Sequence, residues 1–218
     1  MKERFSLKKI ALAFAGIFLI GVGVAFNASA HLGNDPVGIF YDGIRNVLGL
    51  SETQLGMASN IVNLALAVLL FFIGRRYLNL GTIIYILPYG LCVSAGTYLY
   101  SKIFVSEALG VRIVASVAGC TMLYLGVAIF IVVDIGMDPM TGIAMVLKDV
   151  LHWDFKKGKW LFDGTMILVG FLLGGKLGVI TVVTAFSAGP AIQFLSGKLE
   201  KLGTTKKQNG EAEWIEEN

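Results

Sequence analysis

Gly33-Asn34-Asp35-Pro36-Val37-Gly38-Ile39 returns further along the chain as Gly136-Met137-Asp138-Pro139-Met140-Thr141-Gly142-Ile143, and the two copies start 103 positions apart. The likeness spreads both ways at that offset. Gly23-Val24-Ala25 falls on Gly126-Val127-Ala128, Ser51 on Asp154 and Asn60 on Asp163. Thr82 and Gly90 fall on Thr181 and Gly189 at an offset of 99, as a slightly shorter connection in the second copy requires. A repeat of this length is one structural unit used twice.

The 218 residues are 56% hydrophobic and 15% charged, too apolar for a soluble domain of this size. Uncharged stretches of the length that spans a hydrocarbon core run from Ile10 to Ala30, Thr53 to Gly74, Leu78 to Ser101, Ile113 to Val133 and Leu177 to Gly197. A sixth, Trp160 to Gly175, is shorter and holds Asp163, but it occupies the repeat position of the second. The expected fold is therefore all-α: a polytopic membrane protein with six transmembrane helices, arranged as two three-helix repeats, residues 1–104 and 105–202, followed by a polar tail at 203–218. With six crossings and a cytoplasmic amino terminus, only Arg45, Lys102, Arg112 and Lys176 of the 18 basic residues fall outside. The positive-inside rule then puts both termini in the cytoplasm.

Met1 to Ala30 has the basic start, apolar run and Ala28-Ser29-Ala30 ending of a signal peptide. The run is long for that role, and Gly23-Val24-Ala25 has its counterpart in the middle of the chain, so the segment reads as a retained helix. Cys92 and Cys120 each lie within an apolar span and read as packing residues, with no disulfide or metal site implied. The net charge of +3 follows from the loop charges and gives no reason to expect nucleic acid as a partner.

After each Asp-Pro pair come apolar residues at helical spacing: Val37, Phe40, Ile44 and Leu48 in one copy, Met140, Ile143, Leu147 and Leu151 in the other. Each is a short amphipathic helix, too short to cross, that lies along a membrane face or dips in under cover of protein. Gly33, Pro36, Gly136 and Pro139 form the turns and helix starts. Ser51 to Gln54 reads as a capping box opening the second span, with Asp154 at the matching place. Pro88 with Gly90, and Gly189 with Pro190, mark a weakened point in the last helix of each copy. Tyr98 and Tyr100 suit an aromatic belt. The tail from Gly203 reads as a frayed end.

Three crossings per copy is an odd number, so the second copy enters the membrane upside down. Interrupted helices at matched positions of inverted halves are the usual pointer to a transporter's solute site. Asp35 and Asp138 are first of all helix caps; the helix starts they hold can also face an anionic or zwitterionic solute. Asp163 is either an interfacial carboxylate paired with a lysine or a proton or cation site, and its repeat partner Asn60 does not ionise. These four are the candidate substrate-binding residues. His31 and Asp134 are repeat partners, and His31 reads as a lone solvent-facing histidine. No hydrolase elbow, zinc-protease helix or phosphate loop occurs, so no catalytic residue, metal or cofactor is expected, and the chain does not read as an enzyme.

Gly33-x-Asp35-Pro36 after a Gly-Val-Ala helix, Gly174-Gly175-Lys176-Leu177-Gly178 and Ala188-Gly189-Pro190 resemble the YczE/YyaS/YitT-like group of bacterial integral membrane proteins, closest to its uncharacterised YczE-like branch. The resemblance covers all but the tail. It implies a multi-pass protein of the bacterial plasma membrane and leaves the activity open. One departure is Ile180, where the first copy has Gly81, which loosens a packing position. The reading that follows is a small-solute secondary transporter or permease whose partners are the lipid bilayer and a small polar or charged solute. The alternative is a non-transporting membrane protein that regulates or assembles a partner complex, and so few helices are compatible with a homo-oligomer.

Overall fold

The structure, a computed structural model, describes the backbone of residues 6–153 and 155–216 and the side chains of 6–153 and 157–201. Asp154, the expected second cap, lies outside the described residues. The described chain is helical throughout: α1 (Leu7–Ala30), α2 (Pro36–Val47), α3 (Leu55–Ile73), α4 (Leu80–Ile103), α5 (Leu109–Val133), α6 (Pro139–Leu151), α7 (Phe155–Leu172) and α8 (Val179–Glu216). Short 3-10 turns at Glu52–Gln54 and Arg75–Tyr77 bracket α3. Among the described residues, five helical stretches are long and apolar enough to cross a membrane: α1, α3 with its leading turn, α4, α5 and the first part of α8. With its 18 residues, α7 is not among them.

The core is built where α1 meets α5, and glycine sets the distance. A Cβ on Gly16 would lie 2.9 Å from the carbonyl oxygen of Gly126, and one on Gly126 would lie 2.6 Å from that of Gly16. A Cβ on Gly23 would lie 2.6 Å from the Gly119 carbonyl oxygen, and one on Gly119 would lie 2.9 Å from that of Gly23. Small residues let helix backbones touch in lipid, where van der Waals packing carries association. Rising positions on α1 meet falling positions on α5, so the two helices run antiparallel. At the repeat offset Gly16 falls on Gly119 and Gly23 on Gly126, so each contact joins residues from opposite copies. The most buried of the five spans is α1.

Around this pair, α4 packs on α1 and α8 on α5, while α2 sits against α3 and α7, and α6 against α7 and α3. The Asp-Pro turns cross between copies. Gly33, with φ +101°, leaves no room for a Cβ beside the Thr181 hydroxyl and Gly178 amide, and the Ile180 N–H donates to the Leu32 carbonyl at 3.0 Å. Gly136 abuts Asn79 and Gly81 in the same way, and the Thr82 hydroxyl donates to the Met137 carbonyl at 2.8 Å. Just before these turns, His31 and Asp134 both adopt the left-handed conformation, φ 53° and 49°.

Several expectations change at this level. The turn beside Ile180 is not loosened, because the close approach has moved to Gly178, whose Cβ would meet the Leu32 carbonyl oxygen at 2.0 Å. The backbone of 203–216 continues as helix in α8. Both α4 and α8 run without interruption through Pro88 and Pro190. Tyr98 is exposed as a belt residue would be, whereas Tyr100 turns inward and packs edge-on against Phe26, ring centres 5.8 Å apart.

Outside the core the surface is apolar. Phe72, Leu87, Leu91 and Phe186 are 70–80% exposed. A soluble protein does not present large apolar side chains on the flanks of several helices at once; lipid is the solvent for this surface.

Candidate functional site

Where α1 ends and α5 begins, the basic residues expected outside are occupied structurally. Arg112 donates to the carbonyls of Ala30 (2.6 Å) and His31 (2.7 Å), which the end of α1 leaves without helical partners. Arg45, buried, pairs with Asp42 at 2.8 Å and donates to the Leu50 carbonyl and the Asn46 side chain. Asp42 also accepts from the Lys176 backbone N–H at 3.0 Å, joining the α2 end to the α7–α8 connection. The Lys176 ammonium reaches Glu52 at 2.6 Å and His31 Nδ1 at 3.1 Å. His31 is thus exposed but not alone, which corrects the sequence expectation: the left-handed turn carries its ring back to the cluster.

At the other end, Arg76 and Tyr77 both donate to Asp149 across a cavity of about 290 Å³ lined by Gly74, Arg75 and Val146 as well. The phenol and guanidinium beside Asp149 hold its carboxyl below the usual carboxylate range.

Between the two ends lie the turns that open α2 and α6. Asn34 is buried; its amide donates to the Val24 carbonyl at 3.2 Å, and its Oδ1 accepts the Asp35 N–H at 2.9 Å. Asp35 Oδ2 then caps α2 through the Val37 N–H at 3.3 Å, while its Oδ1 is buried with no hydrogen-bond partner. The charges acting on this carboxylate are Lys159 and Asp163 of α7. Burial raises it to about 6, against the lowering effect of the Gly38 N–H and Lys159. Asp138 differs: Oδ1 accepts the Thr141 N–H at 2.9 Å and Oδ2 the Thr141 hydroxyl at 2.6 Å, so both oxygens are occupied.

Of the four sequence candidates, only Asp163 acts electrostatically on Asp35. Asp163 is ion-paired with Lys159 one turn earlier on α7. Asn60 belongs to a different contact: its Oδ1 accepts the Gly90 N–H at 2.9 Å and ties α3 to α4. Asp138 stands apart as a satisfied cap. What sequence reasoning missed is a buried tyrosine group between the two turns. Tyr85 and Tyr89 stack at 5.0 Å, Tyr41 lies 5.9 Å from Tyr89, and the Tyr41 hydroxyl donates to Asn63 at 3.2 Å. Asp35 and Asp138 both act electrostatically on all three phenols. The signal was in the sequence, since Tyr85 and Tyr89 are one turn apart on one helix, but Tyr41 joins them only through the fold.

Five described helices long and apolar enough to cross, an apolar outer surface and polar groups gathered inside define an integral, multi-pass membrane protein. Residues 7–197 match the model of a family of unknown function, DUF6198, and the chain belongs to that family. An uncharacterized protein of Haemophilus influenzae is 24% identical over 195 residues, covering 89% of this chain and 86% of the relative. The uncharacterized membrane protein YczE of Bacillus subtilis is 22% identical over 185 residues, 83% of this chain and 82% of the relative. No solved structure gives a significant match.

Proposed function

We propose that the chain is a small-solute secondary transporter of the bacterial plasma membrane, built from two three-pass modules, 1–104 and 105–202, inserted upside down to each other, with α7 as the sixth crossing and both termini cytoplasmic. The antiparallel glycine contacts between α1 and α5 support the inversion, because a two-fold axis in the membrane plane makes residue i meet the repeat partner of j and residue j that of i. The observation that carries the transport reading is the Asp35 carboxylate: one oxygen is buried without a partner, where an internal ionisable group is costly and marks a solute or ion pathway. Lys159 and Asp163 of α7 act on it electrostatically and supply charges of both signs.

The test is uptake by proteoliposomes of a panel of small amines, amino acids and carboxylates, with and without a proton gradient. Wild-type protein is expected to accumulate at least one class, and Asp163→Asn to lower the initial rate by roughly tenfold, the order of one lost charge interaction at an internal site. Movement of no solute under any gradient would hand the case to the second reading, a membrane protein that regulates or assembles a partner complex.

A further inference from the structure

The first copy carries one helical turn that the second does without. Thr82 stands 22 positions after Asn60, whereas its counterpart Thr181 stands 18 after Asp163. The difference falls at the end of α3: α7 stops at Leu172, the counterpart of Leu69, while α3 runs on to Ile73 and into Gly74-Arg75-Arg76-Tyr77. The repeat therefore does not account for this turn or for the two arginines on it. At the matching place the second copy has Gly174 and Gly175, and Asn46, the repeat partner of Asp149, donates to the Gly174 carbonyl at 2.6 Å.

The extra turn is laid against one face of α6, where Gly142, Val146 and Asp149 follow one another at helical spacing. Leu70 fills the space that a Cβ on Gly142 would take, and a Cβ on Gly74 would run into the Val146 side chain. One step further along the face, Asp149 accepts from Arg76 and Tyr77. The cavity of about 290 Å³ lies at this contact, with Ile73, Val146 and Val150 as its apolar walls and both arginines in its lining.

Arg76 is held by Asp149, but its side chain is 67% exposed and a guanidinium has five N–H donors. Arg75 is exposed, lies 4.9 Å over the Phe71 ring, and pairs with no carboxylate among the described residues. Two guanidiniums against one carboxylate leave one positive charge at the cavity. Leu64, Val68 and Phe72 continue along α3 as an exposed apolar track. Trp153, just past the end of α6, is exposed as well, and an indole at a span's end sits among lipid headgroups.

We propose that this cavity seats the phosphate of an anionic phospholipid, received by Arg75 and the outward donors of Arg76, with an acyl chain laid along Leu64, Val68 and Phe72. A planar guanidinium matches a phosphate, and basic pockets at the ends of spans hold lipid headgroups. Asp149 and Tyr77 position Arg76; with two donors already on Asp149, the ammonium of a zwitterionic lipid has no partner here. The site does not depend on the transport reading.

The test uses full-length protein in mild detergent, stripped of lipid and titrated with phosphatidylglycerol or phosphatidylcholine of the same chains, with bound lipid read by native mass spectrometry. A basic side chain near anionic lipid is worth roughly fivefold in binding, so phosphatidylglycerol should bind at least about fivefold more tightly than phosphatidylcholine, and Arg75→Gln should remove that preference. Val150→Trp, which fills the cavity from an exposed position and leaves every charge in place, should weaken phosphatidylglycerol in the same way. Lys102→Gln, which removes an equal charge stacked on Tyr98 at the far end of α4, should leave the preference intact. Equal binding of the two lipids, or equal losses in Arg75→Gln and Lys102→Gln, would overturn the site. Displacement of phosphatidylglycerol by inorganic phosphate would assign the cavity to a free anion and overturn the lipid.

Discussion

Gly126→Val is expected to lower the melting midpoint further than any other substitution considered. Its Cβ would be 2.6 Å from the Gly16 carbonyl oxygen and 2.8 Å from the Ile20 amide, both backbone atoms of a helix that is itself enclosed. No rotamer relieves that overlap, so α1 and α5 have to part along their length. Overpacking a close-fitted interior costs about 1–3 kcal/mol, and a branched side chain against backbone lies at the upper end. For a chain of this size about 3 kcal/mol corresponds to a midpoint roughly 10 °C lower in a thermal scan of the detergent-solubilised protein. A midpoint within about 2 °C of wild type would mean that the helices do not meet through their glycines.

The second large effect is a contrast between repeat partners. Gly90→Ala places a methyl 2.4 Å from both the Gly56 carbonyl oxygen and the Asn60 side chain, so it should push α4 off α3 and lower stability by about 2 kcal/mol. Gly189→Ala, at the matching place, has open space and removes a flexible residue from a helix, so it should be neutral or stabilising by up to about 1 kcal/mol. Thermal scans of the two variants side by side decide the matter. Equal losses would show that α8 is packed at Gly189 as closely as α4 is at Gly90.

The helices were legible because the bilayer leaves few options: an uncharged run of sufficient length crosses, and Asp before Pro starts a helix. Each expected span falls on a helix, although α8 runs on past the end of its span to Glu216 and α7 is not among the stretches long and apolar enough to cross, and both short amphipathic helices begin at their prolines. The partners of those helices were not legible. Gly16, Gly23, Gly119 and Gly126 look like any small residues in an apolar run until antiparallel packing brings them face to face. The site was half legible. Asp163 could be singled out because a carboxylate in a span is conspicuous, and the structure supplies the pairing with Lys159. Asn60 looked equivalent by repeat and instead seals a helix contact, because Gly56 lets α4 approach closely enough for the Gly90 N–H to reach its side chain. Tyr41 gave no signal at all: it reads as one residue of an amphipathic helix, and only the docking of α2 against α3 brings its hydroxyl to Asn63.

The inversion of the two modules is tested most directly at Val47 and Val150, which are repeat partners at the ends of α2 and α6 and are 62% and 67% exposed. The single-cysteine variants Val47→Cys and Val150→Cys, in protein lacking Cys92 and Cys120, are treated with an impermeant maleimide in intact cells and again after permeabilisation. Two inverted modules predict that Val47→Cys is modified in intact cells and Val150→Cys only once the membrane is breached. Modification of both from the same side would contradict the arrangement and remove the shared pathway between the modules.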